Sequence, residues 1–115
     1  MTTGTVLRRP ELHVGERRHT VASVRVCEEL DLLTVPQLRR ELVAALDAVP
    51  EVLLVDLSGC RFTGADGVAL LLSAHLRARG QGTRLVLCGC RPQALWVLRL
   101  CGLSQVLELV PAGRD

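Results

Sequence analysis

Val52-Leu53-Leu54-Val55-Asp56-Leu57-Ser58-Gly59 is the stretch that decides the fold. A continuous apolar run closed by turn residues reads as a central strand of a parallel sheet, covered on both faces. Downstream, Val68, Leu71, Leu72 and Leu76 recur at helical spacing until Gly80-Gln81-Gly82 stops them. Arg84 to Cys88 repeats the buried-strand pattern. Pro92 then opens a third helix through Leu95, Leu98 and Cys101, and Gly102 caps it. Val106 to Leu109 is the expected last short strand.

Upstream of the deciding stretch, Thr34-Val35-Pro36-Gln37 carries a helix start. Thr stands at the capping position, Gln three residues on, and Pro in the first turn, where its missing N–H costs nothing. Leu38, Leu42, Ala45 and Leu46 give this helix one apolar face, and Pro50 marks its end. Glu28 to Leu33 reads as a loop. Thr20 to Cys27 alternates and is rich in Val, which favours a strand. Glu11 to Val14 is a short edge strand joined to it through a turn at Gly15 to Arg18, making an N-terminal hairpin. The order β-β-α-β-α-β-α-β implies parallel strands with right-handed crossovers and helices packed against the sheet.

The chain has 115 residues, which is one domain. Residues 1–9 read as a loose leading segment, 10–110 as the domain and 111–115 as a polar tail. About half of the residues are apolar and only 2% aromatic, so the core is built from Leu, Val and Ala. Lys, Ile, Asn and Tyr are absent, which hints at a GC-rich bacterial genome. The net charge is +2, with the arginine pairs Arg8-Arg9, Arg17-Arg18 and Arg39-Arg40 separated by acids. With no basic stripe and few rings to stack bases on, nucleic-acid binding is not expected. The N-terminus lacks a charged-then-apolar signal pattern, and no apolar run approaches the ~20 residues of a membrane helix. A cytoplasmic protein without membrane insertion follows.

Cys27, Cys60, Cys88, Cys90 and Cys101 are odd in number and irregular in spacing, and most lie in apolar runs, where reduced Cys packs as a small hydrophobe. Cys88-Gly89-Cys90 invites a metal or redox reading, but no second pair of thiols or imidazoles stands at matching spacing. His13, His19 and His75 are scattered, His75 on the fringe of the second helix. No cofactor and no metal are expected. Neither a nucleophile–base–orienter set nor a Gly-x4-Gly-Lys phosphate loop occurs, so the chain does not read as an enzyme. Trp96 is expected in the core; exposed, it would be an interface anchor.

Three segments, in this order, resemble the STAS domain, the module of sulfate transporters and anti-sigma factor antagonists. They are Glu29-Leu30-Asp31-Leu32 after a Val-rich strand, Asp56 to Phe62 running into Thr63-Gly64-Ala65-Asp66-Gly67, and Gly80 to Leu87 before the helix ending Leu100-Cys101-Gly102-Leu103. Together they span Leu12 to Leu109. The resemblance implies a single STAS-like α/β domain with a mixed, mostly parallel sheet. It also implies regulation by docking onto a protein partner, an anti-sigma factor that is a serine kinase of histidine-kinase-like ATPase fold. In such antagonists the loop before the second helix reads Asp-Ser-Ser-Gly, and the kinase phosphorylates the Ser preceding Gly.

This sequence departs from that motif. Gly67 is the matching Gly, so the acceptor position holds Asp66, which has no hydroxyl; Gly64 and Ala65 replace the preceding Asp and Ser. Two roles for Asp66 stand side by side. It is a fixed anion at the partner surface, or it closes a capping box with Thr63 at the cap and Asp66 at the third helical position. Thr63 is also a candidate displaced phospho-acceptor. Glu29, Asp31 and Thr34 belong to a loop expected beside Thr63 to Gly67, because loops at strand carboxyl ends share one sheet edge. Two further readings remain: a STAS subunit bound to the ATPase of an ABC-type lipid transporter, where no phosphorylation is needed, and a small ligand binder using Asp66 and a Cys. The oligomeric state is left open by the sequence.

Overall fold

The computed structural model describes residues 4–14, 17–26, 29–30, 33–62 and 65–110. The elements in chain order are β1 (Gly4–Val14), β2 (Arg17–Val26), β3 (Glu29–Leu30), α1 (Val35–Asp47), β4 (Val52–Asp56), β5 (Arg61–Phe62), α2 (Ala65–Gly80), β6 (Arg84–Cys88), α3 (Pro92–Leu100) and β7 (Glu108–Val110). The main sheet has the order β1-β2-β4-β6-β7. Strands β2, β4, β6 and β7 are parallel to one another, and β1 is antiparallel to β2. The α/β class, the mostly parallel sheet and the N-terminal hairpin are as expected.

The parallel strands appear in the sheet in the order in which they occur in the chain, so crossovers of one hand put all three helices on one face. Ala22, Val24 and Val26 of β2, Leu53 and Val55 of β4, and Leu85 and Leu87 of β6 point to that face and join the helices in one core. This corrects the expectation that β4 is covered on both sides. Along β4, Leu53 and Val55 are fully buried while Val52, Leu54 and Asp56 are only half-buried. The opposite face carries the row Ser23, Leu54, Val86 and Glu108, and among the described residues none of these four belongs to the helix-packed core. An unbroken apolar run cannot tell a strand with two helical layers from one with a single layer.

Helix α1 buries Val35, Leu38, Leu42, Ala45 and Leu46, the face read from the sequence plus Val35. Each fully buried Leu contributes roughly 1.5–3 kcal/mol. The expected capping box does not form. Thr34 is the capping residue, but its backbone is already helical (φ −98°, ψ −19°) and its side chain makes no capping hydrogen bond. Gln37 instead donates to Glu41 one turn on. The helix ends with Val49 at φ +48°, a left-handed turn directly before Pro50.

Helix α2 buries Gly67, Val68, Leu70, Leu71, Ala74 and Ala78, while Leu76 is exposed. Of the expected face, Val68 and Leu71 are buried and Leu72 packs against the core, while Leu76 is turned out. The run Leu70-Leu71-Leu72 spans too wide an arc to fix a face. The small residues Gly67, Ala74 and Ala78 are buried on the inward side instead. In α3, Ala94 and Leu98 are buried, whereas Trp96 is 60% exposed and Cys101 is exposed. The core placement of Trp96 is overturned, because the short helix turns only the 94/98 side inward.

Strands β1 and β2 are longer than expected, since β2 begins at Arg17 and β1 pairs with it from Gly4 onward. Their register shifts between Arg9 and Leu12, around Pro10, which has no N–H for a ladder. The hairpin turn residues Gly15 and Glu16 lie outside the described residues. Strands β3 and β5, too short to leave a pattern, form a separate parallel pair, Glu29 with Arg61 and Leu30 with Phe62. No helix among the described residues is long and apolar enough to cross a membrane.

Candidate partner-docking edge

The carboxyl edge of the parallel sheet is built from the ends of β2, β4 and β6, where Arg25, Asp56 and Cys88 stand in register. Asp56 organises it. Its Oδ1 accepts the Ser58 N–H at 2.9 Å, and its Oδ2 lies 3.6 Å from Arg25 Nε. The Leu57 N–H donates to the Cys88 carbonyl at 2.9 Å, and the Cys60 N–H to the Leu57 carbonyl at 3.0 Å. Cys60 is buried beneath this turn. The chain therefore leaves β4 through a hydrogen-bonded corner and enters β5 in a fixed direction.

Pairing of β3 with β5 brings Glu29 beside Arg61 and Leu30 beside Phe62, a few residues before α1 and α2 respectively. Both helices begin at this end of the parallel strands. Glu29 lies in β3; Thr34, half-buried, precedes α1; Leu33 beside it is 87% exposed. Ala65 and Asp66 are exposed in the first turn of α2, and Gly67 is buried. Asp31, Thr63 and Gly64 lie outside the described residues, so the expected cap by Thr63 does too.

Asp66 is the one acidic residue in the first turns of α1, α2 and α3. A carboxylate there faces the positive end of the helix and remains in solvent. It offers a fixed single charge and no hydroxyl to modify. Leu33 gives the same edge an apolar tip. Its exposure, like that of Trp96, had no signal in the sequence, because both residue types ordinarily read as core.

The thiols offer little chemistry. Burial pushes Cys60 up to about 12 and Cys90 up to about 11, each with a smaller contribution from a neighbouring thiol. Cys88, whose Sγ donates to the Val55 carbonyl at 3.6 Å, is raised by burial and then by Asp56. These are neutral thiols at physiological pH, not nucleophilic thiolates. Among the described residues no three His, Cys, Asp or Glu side chains converge as a metal site.

His75 stands away from this edge. It lines a cleft of about 390 Å³ with Arg79, Thr83, Arg84 and Glu108, at the start of β6 and β7. The Arg84 guanidinium pairs with Glu108 there. A second cleft, about 250 Å³, runs between α1 and α2 over Leu42, Leu46, Leu70 and Ala74.

The Mlab, STAS domain family model matches residues 14–111. No curated protein matches the chain. Among solved structures, the fold is similar to that of an anti-sigma factor antagonist from Mycobacterium paratuberculosis (25% identity, TM-score 0.73), over 94% of this chain and 87% of that one. It is also similar to an anti-sigma-factor antagonist (STAS) domain protein from Planctomyces limnophilus (21% identity, TM-score 0.77), over 97% and 92% of the two chains. A third similar fold is the Bacillus cell fate determinant SpoIIAA in its phosphorylated form (20% identity, TM-score 0.64, 94% and 93% coverage). With the family model running from β1 to just past β7 and the strand–helix order agreeing, the chain belongs to the Mlab, STAS domain family.

Proposed function

We propose that this chain is a cytoplasmic regulator of the anti-sigma factor antagonist type, which works by reversible docking of its carboxyl sheet edge onto a protein partner and not by catalysis. The observation that carries this reading is Asp66. It is exposed in the first turn of α2, at the position where the antagonist motif has its phospho-acceptor Ser. The partner is then an anti-sigma factor of histidine-kinase-like ATPase fold. The usual phospho-switch at this position is absent, because a carboxylate cannot accept phosphate from a serine kinase. A lone carboxylate carries less charge than phosphoserine and fewer acceptor oxygens, so it imitates the modified state only weakly. The chain therefore docks constitutively or stands permanently released. Glu29, Asp31, Thr34, Thr63, Gly64, Ala65 and Gly67 form the surroundings of that anion in this reading.

The test is binding of purified wild type, Asp66→Ser and Asp66→Ala to purified anti-sigma factors of the same genome, with and without ATP. Equal affinity of all three variants removes the role of the anion. An ATP-dependent release that appears only with Asp66→Ser supports it. Intact mass after incubation with kinase and ATP reads Thr63 at the same time: one phosphate gained by wild type and lost in Thr63→Ala makes Thr63 the displaced acceptor, and no gain removes that role.

A second reading follows from the same missing hydroxyl. A STAS subunit docked on the ATPase of an ABC-type lipid transporter needs no acceptor at position 66. Co-purification with an ABC ATPase and its permease, and with no anti-sigma factor, decides for it.

A further inference from the structure

Charge is segregated along this chain in a way its small net charge conceals. Between Gly67 and Leu107 there is no Asp or Glu, while Arg77, Arg79, Arg84, Arg91 and Arg99 all fall within that span. Arg77 is paired with Asp47, and Arg84 with Glu108. Arg91 and Arg99 are exposed and make no ion pair among the described residues. They bracket the one Trp of the chain. Trp96 is 60% exposed and Leu100 is 66% exposed. Four residues apart on a helix, the two lie on the same face, with Arg99 beside them and Arg91 at the start of α3. This helix packs beside β5, the strand that feeds the loop before Asp66.

Trp96 and Leu100 expose apolar surface side by side on one helix face, and an aromatic residue flanked by arginines is the composition of an interface centre. We propose that the Trp96–Arg99–Leu100 stripe of α3, with Arg91, is a docking surface for an acidic protein surface. Trp96 and Leu100 fill an apolar recess in the partner, and Arg91 and Arg99 meet carboxylates at its rim. The inference rests on the reading that the chain docks a protein partner, and it adds the chemistry of that partner's contact surface. An acidic partner is selected because no carboxylate between Gly67 and Leu107 is present to repel or neutralise it.

Trp96 is also the reporter. In the whole purified chain its fluorescence is expected at the long wavelength of a solvated indole. Each anti-sigma factor and each ABC ATPase of the same genome, purified singly, is titrated against it. Complex formation is followed in parallel by calorimetry. The expected result is a blue shift on binding one of them, an affinity that falls with salt, and about 30-fold weaker binding for Trp96→Ala. Arg91→Glu with Arg99→Glu is expected to weaken binding at least tenfold and to flatten the salt dependence. Because all three side chains are exposed, circular dichroism and melting of the variants should match wild type. Variants that bind as wild type does overturn the stripe and leave the functional reading standing. If no partner binds wild type, the functional reading falls and the stripe with it. A blue shift with vesicles containing one quarter phosphatidylglycerol, or with rising protein concentration alone, overturns protein docking in favour of a membrane surface or a second copy.

Discussion

Gly89 lies directly against Asp56: a β-carbon on Gly89 would stand 3.0 Å from Asp56 Oδ1, 3.0 Å from Ser58 Cβ and 3.2 Å from the Ser58 nitrogen. The same Oδ1 accepts the Ser58 N–H. The end of β6 therefore presses on the turn that leaves β4, and that turn directs the chain toward β5 and the Asp66 loop. Gly89 also has φ +70°, a conformation that side-chain-bearing residues rarely adopt.

Gly89→Ala is accordingly expected to destabilise the fold by about 2–4 kcal/mol, from backbone strain and overpacking together. Urea denaturation measures it. Unlike an ordinary surface Gly→Ala change, the variant should also weaken partner binding, because the displaced Asp56–Ser58 turn lies upstream of the docking edge. A loss below about 0.5 kcal/mol would mean the contact is readily relaxed.

Val49 makes the opposite prediction. It is a β-branched residue at φ +48°, and its side chain is 58% exposed, so little burial offsets the strain. Val49→Gly is expected to stabilise the protein by about 0.5–1.5 kcal/mol, the left-handed penalty less the entropy of an added Gly. Thermal and urea midpoints should both rise. Either one falling would mean that the Val49 side chain packs more usefully than its exposure indicates.

The thiols should sort by burial. Cys101 is exposed and should react with an aromatic disulfide reagent within minutes at pH 8, whereas Cys88 should react slowly. Cys60 and Cys90, raised to about 12 and about 11, should react only as the protein unfolds. Peptide mapping after timed labelling gives the order, and early modification of Cys60 would contradict the buried corner beneath Leu57.

Glu41 supplies a pH dependence. Burial raises its pKa above the ordinary 4.5, against smaller lowering effects of the Gln37 hydrogen bond and Arg40, and its Oε1 is buried without a partner among the described residues. A carboxyl raised in the folded state favours folding while protonated; that contribution is full below the unfolded value and is lost as pH rises through the folded one. Glu41→Gln removes the charge and keeps an acceptor for Gln37. Its urea midpoint should exceed that of wild type at pH 7, and the difference should shrink toward zero near pH 4. A midpoint lower than wild type at pH 7 would mean that the carboxylate charge itself is stabilising.

What the sequence by itself determined is the set of elements and their order. Leu38, Leu42, Ala45 and Leu46 fixed the buried face of α1, and Val52 to Leu57 fixed a strand, because periodicity and turn residues act locally. The motif around Asp56 to Gly67 also pointed to the proposed docking edge, since strand carboxyl ends in a parallel sheet must share a side. Tertiary structure decided which face each element shows. Only the one-sided arrangement of the helices distinguishes Leu53 from Leu54. For the Leu70-Leu71-Leu72 run, the inward side is the one on which Gly67, Ala74 and Ala78 are also buried. Trp96 and Leu33, both core residues by type, became surface residues because burial depends on what lies opposite a side chain, which no single sequence window contains. Strands β3 and β5 show the same limit, since two residues hold no period and their pairing exists only once residues thirty-two positions apart have met.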